Sequence, residues 1–560
     1  MFASFRLSMA WLHTWFGLVL GFVLMVVFFF GALSVFDREI DRWAMPATRF
    51  APQPMPSFDR VLAPIFPQVV PDPAELRAAA DRVHGRLPDT LRAAEWWAYT
   101  THRDPVLAIG AGFDLPDPQD PQAHHHVHGS LTVDPRNGQV LPSQQHPLGS
   151  AFFYPLHYSL HLQWKQLGTW IVGLAALAML VALVSGVVLH RRLLRELFTF
   201  RPRKQLLRSV LDLHNLTGVV ALPFHFMFAL TGLVIFANVY LPVSETQLHA
   251  LHAAHEAAEA ARTGLPHRPS GVAAPRASVD AMVAEAQRRW AARDMPGEVG
   301  FLYLNHLGDS NGTVSIYRAG SDRVALVGQG VHFQASSGRV LREDPPPSAV
   351  QAVHEFVTGL HLQHFEHWPL RWLYLLGGLA GCACIATGFL FFVEKRKRQH
   401  AAAGSAGARW VDALAVAAVT GMLLATAAVL LANRLLPEAL ADRGLWERRV
   451  FWSAWLLALA HAAWRSAALR QARVSPAWRE QCWALALLTV AAVVANAWTT
   501  GHHLLHTLRT GLWPVAGVDL ALLATAALAL LAVRQLRRRA ARGPAASGAV
   551  APAVGEVAHG

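Results

Sequence analysis

The sequence predicts a polytopic α-helical membrane protein with about eight spans and two α+β domains outside the membrane. Of its 560 residues, 53% are hydrophobic and only 15% are charged, whereas average soluble domains carry about 25% charged residues. Long apolar segments are interrupted by two long polar stretches, which carry helical and alternating strand patterns. This composition excludes a disordered chain and argues against a single soluble domain.

Eight segments are apolar and long enough to cross a bilayer, which takes about 20 residues of helix. They are 11–36, 168–190, 211–241, 369–393, 410–433, 449–468, 480–499 and 513–534. The first resembles a secretion signal, but it is too long and lacks a small-residue cleavage site, so we expect a retained helix. The sixth departs most from an apolar span, because it contains His461 and reaches Arg465.

Basic residues indicate the orientation of these spans. The runs RPRK, EKRKR and RQLRRR follow the second, fourth and eighth spans, and positive residues favour cytoplasmic loops. Both termini are therefore predicted to be cytoplasmic, although Arg448 and Arg449 then fall on the outer side. The two long loops would face the periplasm of a bacterium, with the chain in its inner membrane. The net charge of +12 reflects such membrane anchors, so we expect a lipid bilayer and no nucleic acid as partner.

The predicted organisation follows from these spans and loops. Its segments are span 1 (1–36), outer domain 1 (37–165), span 2 (166–190), a basic cytoplasmic loop (191–210), span 3 (211–241), outer domain 2 (242–368), span 4 (369–393), a cytoplasmic linker (394–409), four further spans (410–534) and a basic, then disordered cytoplasmic tail (535–560). Each outer loop contains one helical pattern followed by strands with NG or SG turns, which predicts one small α+β domain per loop.

The first four spans contain a tandem repeat, offset by about 200 residues. WLHTWFGLVLGF aligns with DLHNLTGVVALP, so that His13 falls on His214. Further along the same spans, Gly31 falls on Gly232. Both copies have the same orientation, which makes this a parallel repeat.

The repeated pattern resembles the PepSY-associated transmembrane family. Its marks here are two copies of helix, PepSY-like domain and helix, with LHxxxG near the start of the odd spans and LHL before the even ones. The resemblance covers about residues 8–398 and leaves 399–560 outside it. It implies periplasmic PepSY-like domains. It also implies kinship with iron-regulated inner-membrane proteins and siderophore-iron reductases, which bind two b-type haems.

Four histidines are the candidate axial ligands of two molecules of haem b. Side chains that bind metal are costly inside a membrane and indicate function, and two axial imidazoles suit haem for electron transfer. His13 and His214 occupy equivalent positions at the cytoplasmic ends of two spans, and His161 and His361 form the equivalent outer pair. The alternative for each is an interfacial histidine that bonds solvent, lipid headgroups or backbone.

Three further histidines compete for these roles. His157 precedes His161 by one helical turn, and His354 precedes His361 by two. His225 lies in mid-membrane, eleven residues after His214, which on a straight helix places both on one face about 16 Å apart. It is predicted to bind haem iron, to contact haem or to lie on the electron path. Alternatively, it is a buried histidine that bonds a threonine or the backbone near a proline.

Other histidine clusters are weaker candidates for metal sites. The run HHHVH at 124–128 could bind a metal, although such runs are more often solvated. In the last four spans, a second metal or quinone site would draw on His461, His502, His503 and His506. His190 is predicted to be an interface anchor.

Together these features favour a di-haem electron-transfer protein that reduces ferric, siderophore-bound iron on the periplasmic side. As an enzyme it would be a ferric-siderophore reductase. The chain has no Walker A or dinucleotide motif, so electrons would come from quinol or a cytoplasmic reductase. Two alternatives need no haem: a PepSY membrane regulator of a periplasmic peptidase, and an accessory or transport protein for iron.

Overall fold

The computed structural model describes most of the chain. The described residues are 4–82, 91–100, 104–116, 124–142, 147–189, 206–241, 265–266, 268–326, 328–467 and 474–541. His190, the predicted basic loop up to 205, the start of the second outer loop and the predicted disordered tail lie outside them. The chain forms two compact units, one comprising Met1–Gly388, Pro437–Gly444 and Thr507–Val518, the other Phe389–Leu436, Leu445–His506 and Asp519–Gly560.

The described helices are mostly long and apolar. They are α1 Phe5–Val19, α2 Gly21–Ser34, α3 Asp37–Ala44, α4 Pro73–Arg82, α5 Tyr154–Tyr158, α6 Leu167–Leu189, α7 Leu206–Val220, α8 Leu222–Ile235, α9 Ala237–Tyr240, α10 Val279–Ala292, α11 Ala349–Leu362, α12 Trp368–Ala402, α13 Gly407–Val416, α14 Met422–Leu435, α15 Arg443–Arg465, α16 Ala477–Thr500, α17 Leu504–Arg509 and α18 Trp513–Ala541. Short π turns lie at Phe58–Leu62, Gly149–Phe153 and Ala417–Gly421.

The chain is a multi-pass membrane protein. Among the described residues, five helical segments are apolar and long enough to cross a bilayer. They are Trp164–Leu189, Trp368–Ala402, Gly407–Leu435, Ala477–Thr500 and Trp513–Arg538. Two bent helix pairs bring the number to as many as seven if each pair is one span. The predicted sixth span is helix α15, which carries too many charges to meet the same apolar criterion, and the count of eight stays a prediction.

The predicted first and third spans are bent. The helix axis bends by 61° between α1 and α2, and by the same angle between α7 and α8. Pro223 lies at the start of α8, where proline is tolerated because the first turn needs no N–H donor. No proline marks the first bend, where Gly21 begins α2. The straight helix assumed for His214 and His225 is therefore wrong, because the bend at Ala221 separates them.

The two loops that the sequence predicts to be outer build one continuous antiparallel sheet. Its strands are β1 Ala93–Tyr99, β2 Leu107–Pro116, β3 His124–Val133, β4 Val299–Asn305, β5 Thr313–Arg318, β6 Gly330–Gln334 and β7 Val340–Glu343, in the order β3-β2-β1-β4-β5-β6-β7. The first strand of each loop meets the other at the centre, where Trp97 pairs with Tyr303. The sequence predicts a separate sheet for each loop. The structure differs because the open edges of β1 and β4 satisfy each other.

Alternation along the strands gives the sheet one apolar face. Ala98, Ile109, Leu302 and Ile316 are fully buried there, against helix α10 and its Trp290. On the opposite face, the hydroxyl of Tyr303 donates to Glu95. The alternation is the one expected for an antiparallel sheet with one covered face.

The second unit is built from alanine-rich helices around small buried side chains. At the π turn Ala417–Gly421, the widened helix leaves a backbone carbonyl free to accept a hydrogen bond from a side chain. The indole N–H of Trp455 donates to the carbonyl of Ala417 (2.8 Å). Nearby, Thr420 donates to the side chain of Gln481 (2.7 Å). These bonds satisfy polar groups that lipid could not.

Candidate functional site

Two pairs of histidines meet between the helices of the first unit. In the first pair, His13 of α1 faces His214 of α7, with ring centres 6.1 Å apart and planes at 85°. In the second, His157 of α5 faces His361 of α11, with ring centres 5.8 Å apart and planes at 27°. Both pairs join the two halves of the predicted repeat.

The Nδ1 atoms of the first pair are held by backbone carbonyls. Nδ1 of His13 lies 2.9 Å from the carbonyl oxygen of Ala182, and Nδ1 of His214 lies 2.8 Å from that of Cys384. A carbonyl oxygen can only accept a hydrogen bond, so each Nδ1 carries the proton. Nε2 of each ring then has the lone pair that a metal ion requires.

The second pair has the same tautomer. Nδ1 of His157 donates to the carbonyl oxygen of Val27 (2.8 Å). Nδ1 of His361 contacts Oγ1 of Thr231 (2.8 Å), and that hydroxyl donates its own hydrogen to the carbonyl of Met227 (2.6 Å). With the hydroxyl hydrogen donated to Met227, Oγ1 accepts from Nδ1–H of His361. The carbonyl partners of the other three rings leave Nε2 with the lone pair that binds metal, and His361 has the same form in this arrangement.

A glycine lies against each of the four rings. A Cβ atom at Gly31 would stand 2.7 Å from Nδ1 of His157, and one at Gly232 would stand 3.0 Å from Cε1 of His361. The corresponding distances from Gly186 to His13 and from Gly388 to His214 are 3.2 and 3.4 Å. These small residues let the rings lie against helix backbones. The close approach explains why Gly31 and Gly232 recur in both copies of the repeat.

From here on, His13 and His214 are called the inner pair, and His157 and His361 the outer pair. The outer pair borders a cavity of about 440 Å³. This volume is within the range of about 300–1,000 Å³ that is typical of small-molecule and cofactor sites. Its inner walls are apolar and include Leu24, Phe28, Met179 and Phe228. Its outer rim is polar and includes Ser34, Asp37, Arg38, Ser150, Tyr154 and His364. The cavity therefore suits a mainly apolar molecule that also carries polar groups.

The rim is held in place by buried charges outside the spans. Asp41 accepts hydrogen bonds from the backbone of Gly149 (2.7 Å) and Ser150 (3.2 Å). Burial raises the pKa of Asp41 to about 7, and the nearby Arg38 opposes this rise. Arg38 itself is paired with Asp104 (3.3 Å). Asp41 thus fixes the π turn that leads into α5 and His157.

The residues present fit a haem. Two imidazoles that bind one metal ion from opposite sides, at about 2 Å each, have ring centres roughly 6 Å apart. The two pairs meet this spacing, and a haem iron needs only two ligands from the protein. Each Nδ1–H is already bonded, as is usual for histidines that bind metals. No group of three or more histidine, cysteine or acidic side chains that could hold a bare metal ion occurs among the described residues.

His161 lies apart from the pair to which the sequence assigned it. Helix α5 ends at Tyr158, and His161 follows in a left-handed turn with φ of 56°. Its Nε2, and not its Nδ1, bonds the carbonyl of Phe152 (2.9 Å). The imidazole is also stacked on the phenyl ring of Phe152. His157, the competing candidate, takes the place opposite His361 because α5 ends before His161.

His225 is fully buried but joins neither pair. Its ring meets the edge of Phe28, with centres 5.4 Å apart. The backbone of Gly377 is close, yet neither ring nitrogen makes a hydrogen bond of normal geometry within the part of the chain that the structure describes. A buried imidazole without such bonds is costly.

The remaining candidate histidines are not brought to the two pairs. His354 is exposed on α11. His126 and His128, in the HHHVH run, are half exposed and bond Asp114 and Glu75.

In the second unit, the histidine candidates form local contacts. His461 contacts Glu480 at 3.0 Å, and Glu480 is also paired with Arg465. His502 stacks on His506 with ring centres 5.2 Å apart. These contacts form small polar clusters, which give no geometric support to the predicted metal or quinone site.

No sequence pattern singles out Thr231, Ala182 or Cys384. Ala182 and Cys384 act through their backbone carbonyls. Any residue could supply such a carbonyl, so the residue type does not reveal this role. Thr231 could have been noticed in LTG, directly before the repeated Gly232, because its equivalent in the first copy is Phe30.

Comparison with known proteins agrees with a multi-pass membrane protein. The model of the family described as the PepSY-associated TM region matches residues 10–395. An uncharacterized protein of Pseudomonas aeruginosa is 30% identical over 406 residues, which cover 70% of this chain and 95% of the relative. The family match ends within α12 and leaves the later helices outside it. The chain, which carries both histidine pairs within the matched residues, belongs to the PepSY-associated transmembrane family.

Proposed function

We propose that this protein carries electrons across a bacterial inner membrane through two haem b groups and reduces chelated Fe(III) on the periplasmic side. His13 and His214 would bind one iron, and His157 and His361 the other. This assignment replaces His161 by His157. His225 has no role as an axial ligand in it.

The observation that carries the proposal is the common geometry of the two pairs. In each, imidazoles from different helices have ring centres 6.1 or 5.8 Å apart and carry the proton on Nδ1. Interfacial histidines that bond headgroups would have no reason to share one tautomer and to face each other. A haem held by two such imidazoles would supply one-electron transfer.

The chain's own residues prepare the sites for this chemistry. The Nδ1 partners fix the ring orientation and increase the basicity of Nε2. The facing glycines leave room for the rings, and the apolar cavity walls exclude water. A dry environment keeps the reorganisation around a change of charge small and tunes the potential.

The direction of transfer is supported by where the outer pair sits in the chain. His157 and His361 lie on the short helices α5 and α11, which are the last helices of the two predicted outer loops before spans 2 and 4. Electrons would enter near His13 and His214, from quinol or a cytoplasmic reductase, and leave near the outer pair. Ferric siderophore is the substrate favoured by the family resemblance. Reduction of its iron to Fe(II) would weaken binding by hard oxygen ligands.

An absorption spectrum of the purified full chain tests this proposal. Sharp b-type bands after dithionite reduction, with two haems per chain by extraction, are expected. Oxidation of the reduced protein by a ferric hydroxamate, with Fe(II) trapped by a chromogenic chelator, would then identify the reaction. A folded chain that stays colourless after growth with haem would contradict the proposal and favour a PepSY regulator of a peptidase.

A further inference from the structure

We propose that Thr231 is the positioning residue of His361 and that its hydrogen bond lowers the redox potential of the outer haem. The proposal deepens the proposed function and depends on it. It concerns a side chain that binds no metal itself and acts through the imidazole of His361.

Two contacts define the arrangement that we assign here. Oγ1 of Thr231 lies 2.6 Å from the carbonyl oxygen of Met227 and 2.8 Å from Nδ1 of His361. We assign the hydroxyl hydrogen to the shorter contact, with Met227, so that Oγ1 accepts from Nδ1–H of His361. Thr231 is only 4% exposed, which keeps water from replacing the bond. The hydroxyl is polarised by its own donation, and this strengthens it as an acceptor.

Thr231 distinguishes the outer pair from the inner one. His13, His214 and His157 each bond a backbone carbonyl, which no substitution removes. For His361, the partner that the structure describes is a side chain. The first copy of the repeat has Phe30 at the equivalent position, and its ring stacks on Phe153. The hydroxyl is therefore a feature of one half of the molecule.

The bond should affect the iron through the imidazole. A hydrogen bond from Nδ1–H moves electron density toward Nε2 and makes it a stronger donor. A stronger donor stabilises Fe(III) more than Fe(II), which lowers the potential. Loss of the bond would also free the ring to rotate, so the ligand field of the outer haem should change as well.

The test compares Thr231→Val with Thr231→Ser in the purified full chain. Valine has nearly the shape of threonine but cannot accept the bond, whereas serine keeps the oxygen. Thr426→Val is the matched control, because Thr426 is also buried and donates only to the carbonyl of Met422 (3.0 Å) in its own helix. If Thr231→Val does not fold, Thr231→Ala removes the same oxygen with less bulk.

In a spectroelectrochemical titration, Thr231→Val should raise the midpoint of one of the two haem transitions and leave the other unchanged. One of the two low-spin ferric signals in electron paramagnetic resonance should shift with it. Thr231→Ser and Thr426→Val should resemble the wild type. Two haems with unaltered midpoints and spectra in Thr231→Val would overturn the role of Thr231 alone. A wild-type chain without haem would overturn the proposed function as well.

Discussion

The imidazoles of His157 and His361 lie with their ring centres 5.8 Å apart and their planes inclined by only 27°. Each ring belongs to a different copy of the predicted repeat, and each is held at Nδ1 by a helix of its own copy. The pair therefore depends on the correct packing of both halves of the first unit. Its histidines are the strongest test of which residues bind the proposed outer haem.

His157→Ala should lose one of the two haems, whereas His161→Ala should keep both. The reason is the position of α5, which carries His157 to His361 and ends before His161. Haem extraction and reduced-minus-oxidised spectra of both variants measure the difference. Loss of haem in His161→Ala, with His157→Ala intact, would restore the pairing predicted from the sequence.

His13→Ala and His214→Ala should each remove the inner haem, which we propose to lie between these two histidines. The outer haem should stay reducible by dithionite. Both histidines are needed because each would supply one of two axial ligands. The double variant should lose no more haem than either single one. Unchanged haem content in both single variants would show that this pair does not bind iron.

Gly31→Ala should disturb the outer site, because the added Cβ would stand 2.7 Å from Nδ1 of His157. Overpacking of this kind costs roughly 1–3 kcal/mol, and the ring would be pushed away from its partner. Gly17→Ala is the control, since nothing lies within 4 Å of its added Cβ. We expect lower haem occupancy and a lower unfolding temperature for Gly31→Ala only.

His225→Leu should keep both haems and stabilise the protein. Leucine is the residue of the first copy at Leu24, and it removes a buried imidazole without normal hydrogen bonds, a defect that costs about 1–3 kcal/mol. Thermal unfolding in detergent and haem content measure the two effects. A lost haem would show instead that His225 is an iron ligand.

The stability of the contact between α3 and the π turn Gly149–Phe153 should depend on pH through Asp41. Its pKa is about 7 in the folded chain, against an ordinary value of 3.8. Between about pH 4 and pH 7 the folded state holds a proton that the unfolded state has lost. The free energy of unfolding should therefore fall as the pH rises through this window and level off above it. Asp41→Asn should flatten this part of the profile of unfolding temperature against pH, and an identical profile would contradict the assignment.

The sequence predicted most spans and the inner pair, because hydrophobicity and the aligned LH motifs are local signals. It paired His161 with His361, whereas His157 lies next to His361 in the structure, because the aligned LHL motifs ignore where α5 ends. It assumed a straight third span, although Ala221 lies at a bend. The contact between Thr231 and His361 joins residues 130 positions apart, and no local pattern encodes it.

The pairing of β1 with β4 has an evolutionary consequence. A polypeptide with one copy of the repeat would expose the edge of its first strand, and two such polypeptides would pair there about a two-fold axis. Gene duplication and fusion would have turned that ancestral homodimer into one chain. Fusion would also free the two halves to differ, as they do at Phe30 and Thr231.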